Sequence, residues 1–154
     1  MIHHDVKQNS DRWHNLRLGI PTASEFHRII TPKTMKLSSQ AEDYRDWLLA
    51  EWIYGAPLES PETSFMQRGS ELEPEAVRSY EFERDCEVSE AGFFTTDDGM
   101  VGASPDRLVG SCGLLEIKCP APQTHVGYMM SRAVDEKYMT QLQGQRGFTK
   151  TKTE

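Results

Sequence analysis

The spacing of apolar residues changes twice along the chain, and these changes predict a mixed α/β fold. Up to about residue 85, apolar side chains recur at the three- and four-residue intervals of amphipathic helices. Between 88 and 118 they occur in short runs typical of strands, and beyond 122 helical spacing returns. Strands are predicted at 88–94, 100–103 and 114–118. Glycine-containing turns are predicted between them, at 97–99 and 110–113.

The first helices have recognisable start and stop signals. Ser10 is placed to cap a short helix that Gly19 ends. The stretch Thr22-Ala-Ser-Glu25 has the pattern of a capping box, so Ser24 is expected in the first turn of the next helix. The free backbone N–H groups of that turn would then point towards any ligand bound there.

Longer helices are predicted in the middle and at the end of the chain. A capping pattern at Ser39 begins a helix that ends at Gly55, and apolar spacing predicts another from Ser64 to about Asp85. Pro74 predicts a kink or a new start within the second. Residues 122–131 and 135–145 are predicted to be helical as well. In the helix that ends at Gly55, the side chains expected to face the core are Tyr44, Trp47, Leu48 and Trp52.

Charge and cysteine content narrow the class of protein. A formal charge of −7 argues against a protein whose main task is to coat nucleic acid, because such proteins usually carry a strong positive field. Cys86, Cys112 and Cys119 lack a CxxC spacing, which favours free thiols in a reducing cytosol. Since no apolar run is long enough to span a membrane, we expect a cytoplasmic protein without a membrane partner.

One short stretch, Asp106 to Lys118, carries the charges with the clearest chemical use. Glu116 and Lys118 lie two residues apart on a predicted strand, so they share a face while Ile117 points into the core. The glycine-rich turn could fold this strand back beside Asp106. Two neighbouring carboxylates repel each other unless a divalent cation such as magnesium lies between them. The other interpretation is a solvent-facing hairpin with an exposed Glu–Lys pair of little energetic value.

Several motifs resemble one family of nucleases. Ser104-Pro-Asp106 followed by Glu116-Ile-Lys118 matches the PD-(D/E)xK pattern, and most of the chain resembles the lambda-exonuclease, or YqaJ-type viral recombinase, family. The resemblance is carried, in the order of the family's motifs, by Trp13 with Arg17, Thr22-Ala-Ser24, Gly69 with Glu73 and Ala76, Ser104-Pro-Asp106, Leu115-Glu-Ile-Lys-Cys-Pro120, and Tyr138-Met-Thr-Gln141-Leu-Gln143.

The resemblance implies a fold, an activity and partners. The fold is a restriction-endonuclease-like core, with a central mixed sheet flanked by helices and a shortened C-terminal part. We expect one nuclease domain at 1–145 and a short tail at 146–154. The implied activity is 5′-to-3′ digestion of one strand of linear duplex DNA in phage or prophage recombination, by two-metal hydrolysis with magnesium or, as a substitute, manganese. Implied partners are duplex DNA ends, an annealing protein and further copies of the chain in a ring, with a trimer favoured, in the cytoplasm of a bacterial host.

The resemblance also assigns roles to the charged residues of the motif. It makes Asp106 and Glu116 metal ligands, together with the backbone carbonyl of Ile117. Lys118 becomes the residue that orients the attacking water. Glu73 matches an acid that helps to hold a second metal or its waters.

Three further residues receive a role by position. Gln141 matches a glutamine on a helix packed beside the site, and Arg17 and Ser24 match a pocket for a terminal 5′-phosphate. The phosphate assignment agrees with the first-turn position predicted for Ser24, because a helix N-terminus binds anions.

Plainer interpretations of these residues remain open. Arg17 could form an ordinary surface ion pair, Ser24 could simply begin a helix and Gln141 could lie exposed, while Pro74 leaves the direction of Glu73 undecided. Two alternative functions also remain. One is a non-catalytic module that binds DNA ends or another protein, and the other is a structure-specific endonuclease on the same core.

Overall fold

The helices follow one another in the order that the apolar spacing predicts, but the structure adds two strands that were not predicted, Ile2–His4 and Arg107–Val109. The computed structural model describes residues 1–58, 64–111 and 113–148. Its elements are β1 (Ile2–His4), α1 (Asp11–Arg17), a 3₁₀ turn (Ala23–Glu25), α2 (Phe26–Ile29), α3 (Ala41–Tyr54), α4 (Ser64–Arg84), β2 (Val88–Glu90), β3 (Phe93–Thr95), β4 (Gly102–Ala103), β5 (Arg107–Val109), β6 (Gly113–Leu115), α5 (Pro122–Ser131) and α6 (Glu136–Gly147).

The described strands form two antiparallel sheets of three strands each, in the orders β1-β3-β4 and β2-β5-β6. The strand predicted at 88–94 is divided between them, because Ala91 and Gly92 interrupt it. Gly92 has a φ of +66°, and a Cβ at this position would collide with the carbonyl oxygen of His4. A parallel bridge between Thr22 and Gly102 connects the helical part to the first sheet.

The long helices agree only partly with their predicted boundaries and faces. α3 ends at Gly55 with a left-handed φ of +65°, as predicted, but it begins at Ala41 without a side-chain cap. Pro74 lies inside α4, which continues through it. The inward direction predicted for Trp52 is wrong, since 72% of its surface is exposed, whereas Tyr44 is buried as expected.

A small apolar cluster joins the end of the chain to its first half. Ala23, Ala103 and Phe148 are buried together there, and Phe26 packs against them. α6 approaches the 3₁₀ turn and α2 closely because position 144 is a glycine, where a Cβ would lie 2.6 Å from the Phe26 ring. α6 continues to Gly147, and Phe148 follows it into this cluster.

Within the described ranges, none of the helices combines the length and the apolar character that crossing a bilayer requires.

Candidate active site

The β5–β6 hairpin brings the Asp106 and Glu116 carboxylates to the same end of a sheet. Arg107 pairs with Leu115 in the antiparallel register, so Asp106 and Glu116 are the residues just outside this pair. The backbone N–H of Ile117 donates a hydrogen bond of 2.6 Å to Asp106 Oδ2 and closes the end of the hairpin. The stretch therefore folds back as predicted, although β6 ends one residue before Glu116.

The surroundings of Asp106 disfavour its charge. Burial, followed by the nearby Glu116 carboxylate, raises the pKa of Asp106 to about 6, while the hydrogen bond from Ile117 and the Lys118 ammonium group act in the opposite direction. The hairpin thus holds two carboxylates that repel each other. A cation bound between them would remove this repulsion.

Glu116 is held from three directions. Its side chain is only 5% exposed. Gln141 Nε2 donates to Oε1 over 2.5 Å, Gln145 Nε2 donates to Oε2 over 2.6 Å, and the Lys118 ammonium group also contacts Oε1. Gln141 and Gln145 reach both oxygens because residues four apart share one face of α6. Gln141 is buried, so it is not an ordinary exposed glutamine.

Lys118 is the accessible member of this cluster. Its side chain is 35% exposed, and its ammonium nitrogen lies 5.4 Å from the ring centroid of Tyr138. Ile117, between Glu116 and Lys118 in the sequence, is half-buried. The amino group of Lys118 therefore contacts the Glu116 carboxylate and is also accessible to solvent.

Glu73 is near the hairpin but turned to another partner. Its Oε1 lies 2.9 Å from Arg107 Nη1, which also donates to the backbone oxygen of Asp106 over 2.6 Å. These three residues line part of a cavity of about 180 Å³. Among the described residues, no three His, Cys, Asp or Glu side chains converge as a ready metal site. Glu73 therefore shares a cavity wall with Asp106 and is connected to it through Arg107.

Arg17 lies in a second cavity, of about 470 Å³. Its guanidinium carbon is 4.1 Å from the ring centroid of Trp13, and burial lowers the pKa of Arg17. Tyr44 and Glu25 line the same cavity. Arg17 forms no ion pair with any residue that the structure describes, so the proposed surface salt bridge is not found there. The Glu25 and Glu51 carboxylates in the cavity wall favour the charge of this half-buried arginine without forming an ion pair with it in the described part of the chain, so an anionic ligand could still bind its guanidinium.

Ser24 is placed differently from the sequence prediction. It lies in the 3₁₀ turn, where Thr22 makes no side-chain capping bond, and α2 then adds only Phe26–Ile29. So short a helix offers little dipole to an anion, which corrects the predicted N-terminal anion site. Ser24 Oγ instead lies 3.2 Å from Thr22 Oγ1. Thr22 lines the Arg17 cavity, whereas Ser24 does not appear in its wall.

Sequence reasoning overlooked two residues that support the site. Gln145 could have been found from its position four residues after Gln141, because residues at this spacing share one face of a helix. Ser104 lies in the motif that ends at Asp106, and its hydroxyl accepts hydrogen bonds of 3.0 Å from Trp13 Nε1 and from Gln8 Nε2 while donating one of 2.7 Å to a backbone oxygen of Gly92. This network fixes the segment that leads into Asp106.

Comparison with solved structures defines the class of fold. An alkaline exonuclease from Laribacter hongkongensis is 33% identical, with a TM-score of 0.79 over 91% of this chain and 69% of that one. The structure of the same exonuclease in complex with dAMP is 34% identical, with a TM-score of 0.80 over the same shares. A phage-related exonuclease from Haemophilus somnus, 20% identical, has a TM-score of 0.63 over 88% of this chain and 65% of its own and supports the fold alone. The predicted restriction-endonuclease-like α/β class is confirmed, but the described strands form two antiparallel sheets and not one central mixed sheet.

The family follows from the sequence model that matches this chain. The YqaJ-like viral recombinase domain matches residues 12–152. The chain belongs to this family, as the motifs predict. None of the curated proteins matches the chain closely enough to count as a relative.

Proposed function

We propose that the protein is a magnesium-dependent exonuclease that degrades one strand of linear duplex DNA from its 5′ end during phage or prophage recombination. The observation that carries the proposal is the β5–β6 hairpin, where Asp106 and Glu116 meet beside Lys118 and Gln141. Membership of the YqaJ-like family and the likeness to exonucleases support the reaction class.

The residues present fit a magnesium ion. Magnesium prefers oxygen ligands and is held in many sites by one or two carboxylates with waters. Asp106 and Glu116 supply two carboxylates whose mutual repulsion a cation would relieve, and the family resemblance adds the backbone carbonyl of Ile117 as a further ligand. Glu73 would join a second ion only after releasing Arg107. The donor set thus supports one ion directly and a two-metal site after this exchange.

In the proposed reaction, a bound divalent cation would polarise the scissile phosphate and acidify the attacking water. Lys118 orients that water and adds positive charge where negative charge develops. Gln141 keeps Glu116 in place through its hydrogen bond to Oε1. Attack on phosphorus breaks the bond to the 3′ oxygen, so that the 5′-terminal nucleotide leaves as a monophosphate and the shortened strand keeps a 5′-phosphate.

A digestion experiment tests the proposal. Linear duplex with 5′-phosphate ends, labelled at the 3′ end of one strand, should be shortened from the 5′ end in magnesium or manganese and should stay intact in EDTA. Covalently closed circular duplex is the control. Cutting of the circle would favour a structure-specific endonuclease, and intact linear duplex with correctly folded protein would favour a non-catalytic DNA-end-binding module.

Recognition of the 5′-phosphate gives a prediction for Arg17. Arg17→Ala should slow digestion of 5′-phosphorylated duplex by roughly 10- to 100-fold, since a charge-assisted hydrogen bond is worth about 1.5–3 kcal/mol. Digestion from 5′-hydroxyl ends, measured in parallel, should scarcely change. Arg12→Ala, which removes an exposed arginine of the same helix, is the matched control. Equal slowing on both ends would mean that Arg17 is structural or contacts the DNA backbone generally.

A ring of identical chains around DNA is proposed as the working assembly, with a trimer favoured and an annealing protein as a further partner. Exposed apolar side chains near the end of α3 support self-association, since such groups often mark interfaces. They are Leu49, Trp52, Ile53 and Tyr54. Mass measurement in solution should give a multiple of the 17.6 kDa chain. A monomer at working concentration would contradict the ring.

A further inference from the structure

We propose that Gln145 is a positioning residue that holds the Glu116 carboxylate ready for a metal ion, together with Gln141 one helical turn earlier. The inference rests on the proposed function, in which Glu116 is a metal ligand. The residues matched to the family's motifs include Gln141 but end before Gln145, so the role comes from the geometry of this chain.

The contact itself is short and protected from water. Gln145 is 1% exposed, and its Nε2 donates to Glu116 Oε2 over 2.6 Å. Gln141 and Lys118 both contact the other oxygen, Oε1. A carboxylate with donors on both oxygens cannot turn about its last bond without breaking one of them. Among the described residues, Gln145 supplies the donor to Oε2, so without it the carboxylate would be held through Oε1 alone.

The amide oxygen of Gln145 indicates that this side chain is not favoured by packing alone. Its Oε1 is buried and has no hydrogen-bond partner among the described residues. A buried polar atom without a partner destabilises the native state, so an apolar side chain of the same length would spare the fold this penalty. The opposite assignment of the amide atoms would set its oxygen against the Glu116 carboxylate, which is repulsive. The hydrogen bond to Glu116 therefore explains an amide at this position better than packing does.

The helix that carries Gln145 is fixed by its own packing. Gly144, the preceding residue, lies against the ring of Phe26 and the methyl group of Ala23. α6 is therefore packed closely against the 3₁₀ turn and α2. Outer ligands of this kind typically change metal affinity or activity by 10- to 100-fold when they are removed.

Magnesium affinity provides the test that a purely structural role would not affect. Gln145→Met keeps the length of the side chain and removes the donor, and Gln143→Met makes the same change at an exposed position of α6. Titration calorimetry with magnesium chloride and no DNA should show affinity weakened roughly 10-fold or more in Gln145→Met and unchanged in Gln143→Met. Gln145→Asn, whose amide is one methylene too short to reach Glu116, should behave like Gln145→Met and replaces it if the methionine variant does not fold.

Wild-type affinity in folded Gln145→Met or Gln145→Asn would overturn the proposal. A thermal unfolding cycle without metal, combining Gln145→Met with Glu116→Gln, separates this failure from that of the proposed function. Non-additive effects support the contact, whereas additive effects overturn it whatever the metal does. Wild-type protein that binds no magnesium would refute the proposed function, and with it the metal-positioning role, even if the cycle shows coupling.

Discussion

Lys118→Ala should reduce strand cleavage by about 10²- to 10⁴-fold, the range expected when a group that assists proton transfer is removed. Magnesium and duplex DNA should still bind, because Lys118 contacts Glu116 but lies at the exposed edge of the cluster and is not a ligand. Single-turnover rates on 5′-phosphorylated duplex measure the loss, and fluorescence anisotropy measures DNA binding.

Lys137→Ala is the matched control for this experiment. Lys137 also lies over the Tyr138 ring, at 5.1 Å, but its ion-pair partner is Asp135. Its removal takes away the same charge near the site without touching Glu116, so cleavage should stay close to the wild-type rate. Equal losses in the two variants would assign the effect to general attraction of DNA. A wild-type rate in Lys118→Ala would remove Lys118 from the mechanism.

Asp106→Asn should lose both magnesium binding and cleavage, with cleavage lower by about 10³-fold or more, since a metal ion contributes several kcal/mol to the transition state. The Asp106→Asn variant should still fold. Asparagine keeps an oxygen for the Ile117 N–H and removes the charge that Glu116 repels. Without metal, the variant should therefore unfold at the same temperature as wild type or at a higher one.

Asp5→Asn, at an exposed position, provides the control for the Asp106 prediction. Asp106→Ala is less informative, because it leaves the Ile117 N–H without its acceptor, at a penalty of about 1–3 kcal/mol where that group is buried. Calorimetry with magnesium and thermal unfolding in EDTA give the two quantities. Unchanged magnesium affinity in Asp106→Asn would show that the hairpin is not the metal site.

The meeting of Asp106 with Glu116 could be predicted from the sequence because it depends on local features. A glycine-rich turn connects two short strands, and the antiparallel register then brings their outer neighbours together. The order of the helices was predictable for the same reason, since apolar spacing reports on each segment separately, whereas the strands Ile2–His4 and Arg107–Val109 were not predicted. The division of the 88–94 strand at Gly92 was not, because the requirement for glycine there comes from the distant His4.

Contacts that depend on the packing of whole helices could not be predicted from the sequence. The pairing of Glu73 with Arg107 requires α4 to lie at one particular distance from β5, and no residue pattern reports that distance. Ser24 had the right pattern for a helix start, but the chain forms a 3₁₀ turn and only a brief α2 before turning away. Trp52 has the spacing of a core residue and is nevertheless exposed, because spacing defines a face without defining what covers it.

The close approach of α6 to Phe26 at Gly144 has a consequence for how natural variants of this protein should be interpreted. A methyl group at position 144 would meet the Phe26 ring at 2.6 Å and shift the helix that carries both glutamines. Such a variant is uncharged, lies outside the sequence motif and would pass as conservative in a list of substitutions. Its phenotype would nevertheless resemble that of an active-site mutation, so genetic surveys that rank positions by chemical similarity would misclassify this one.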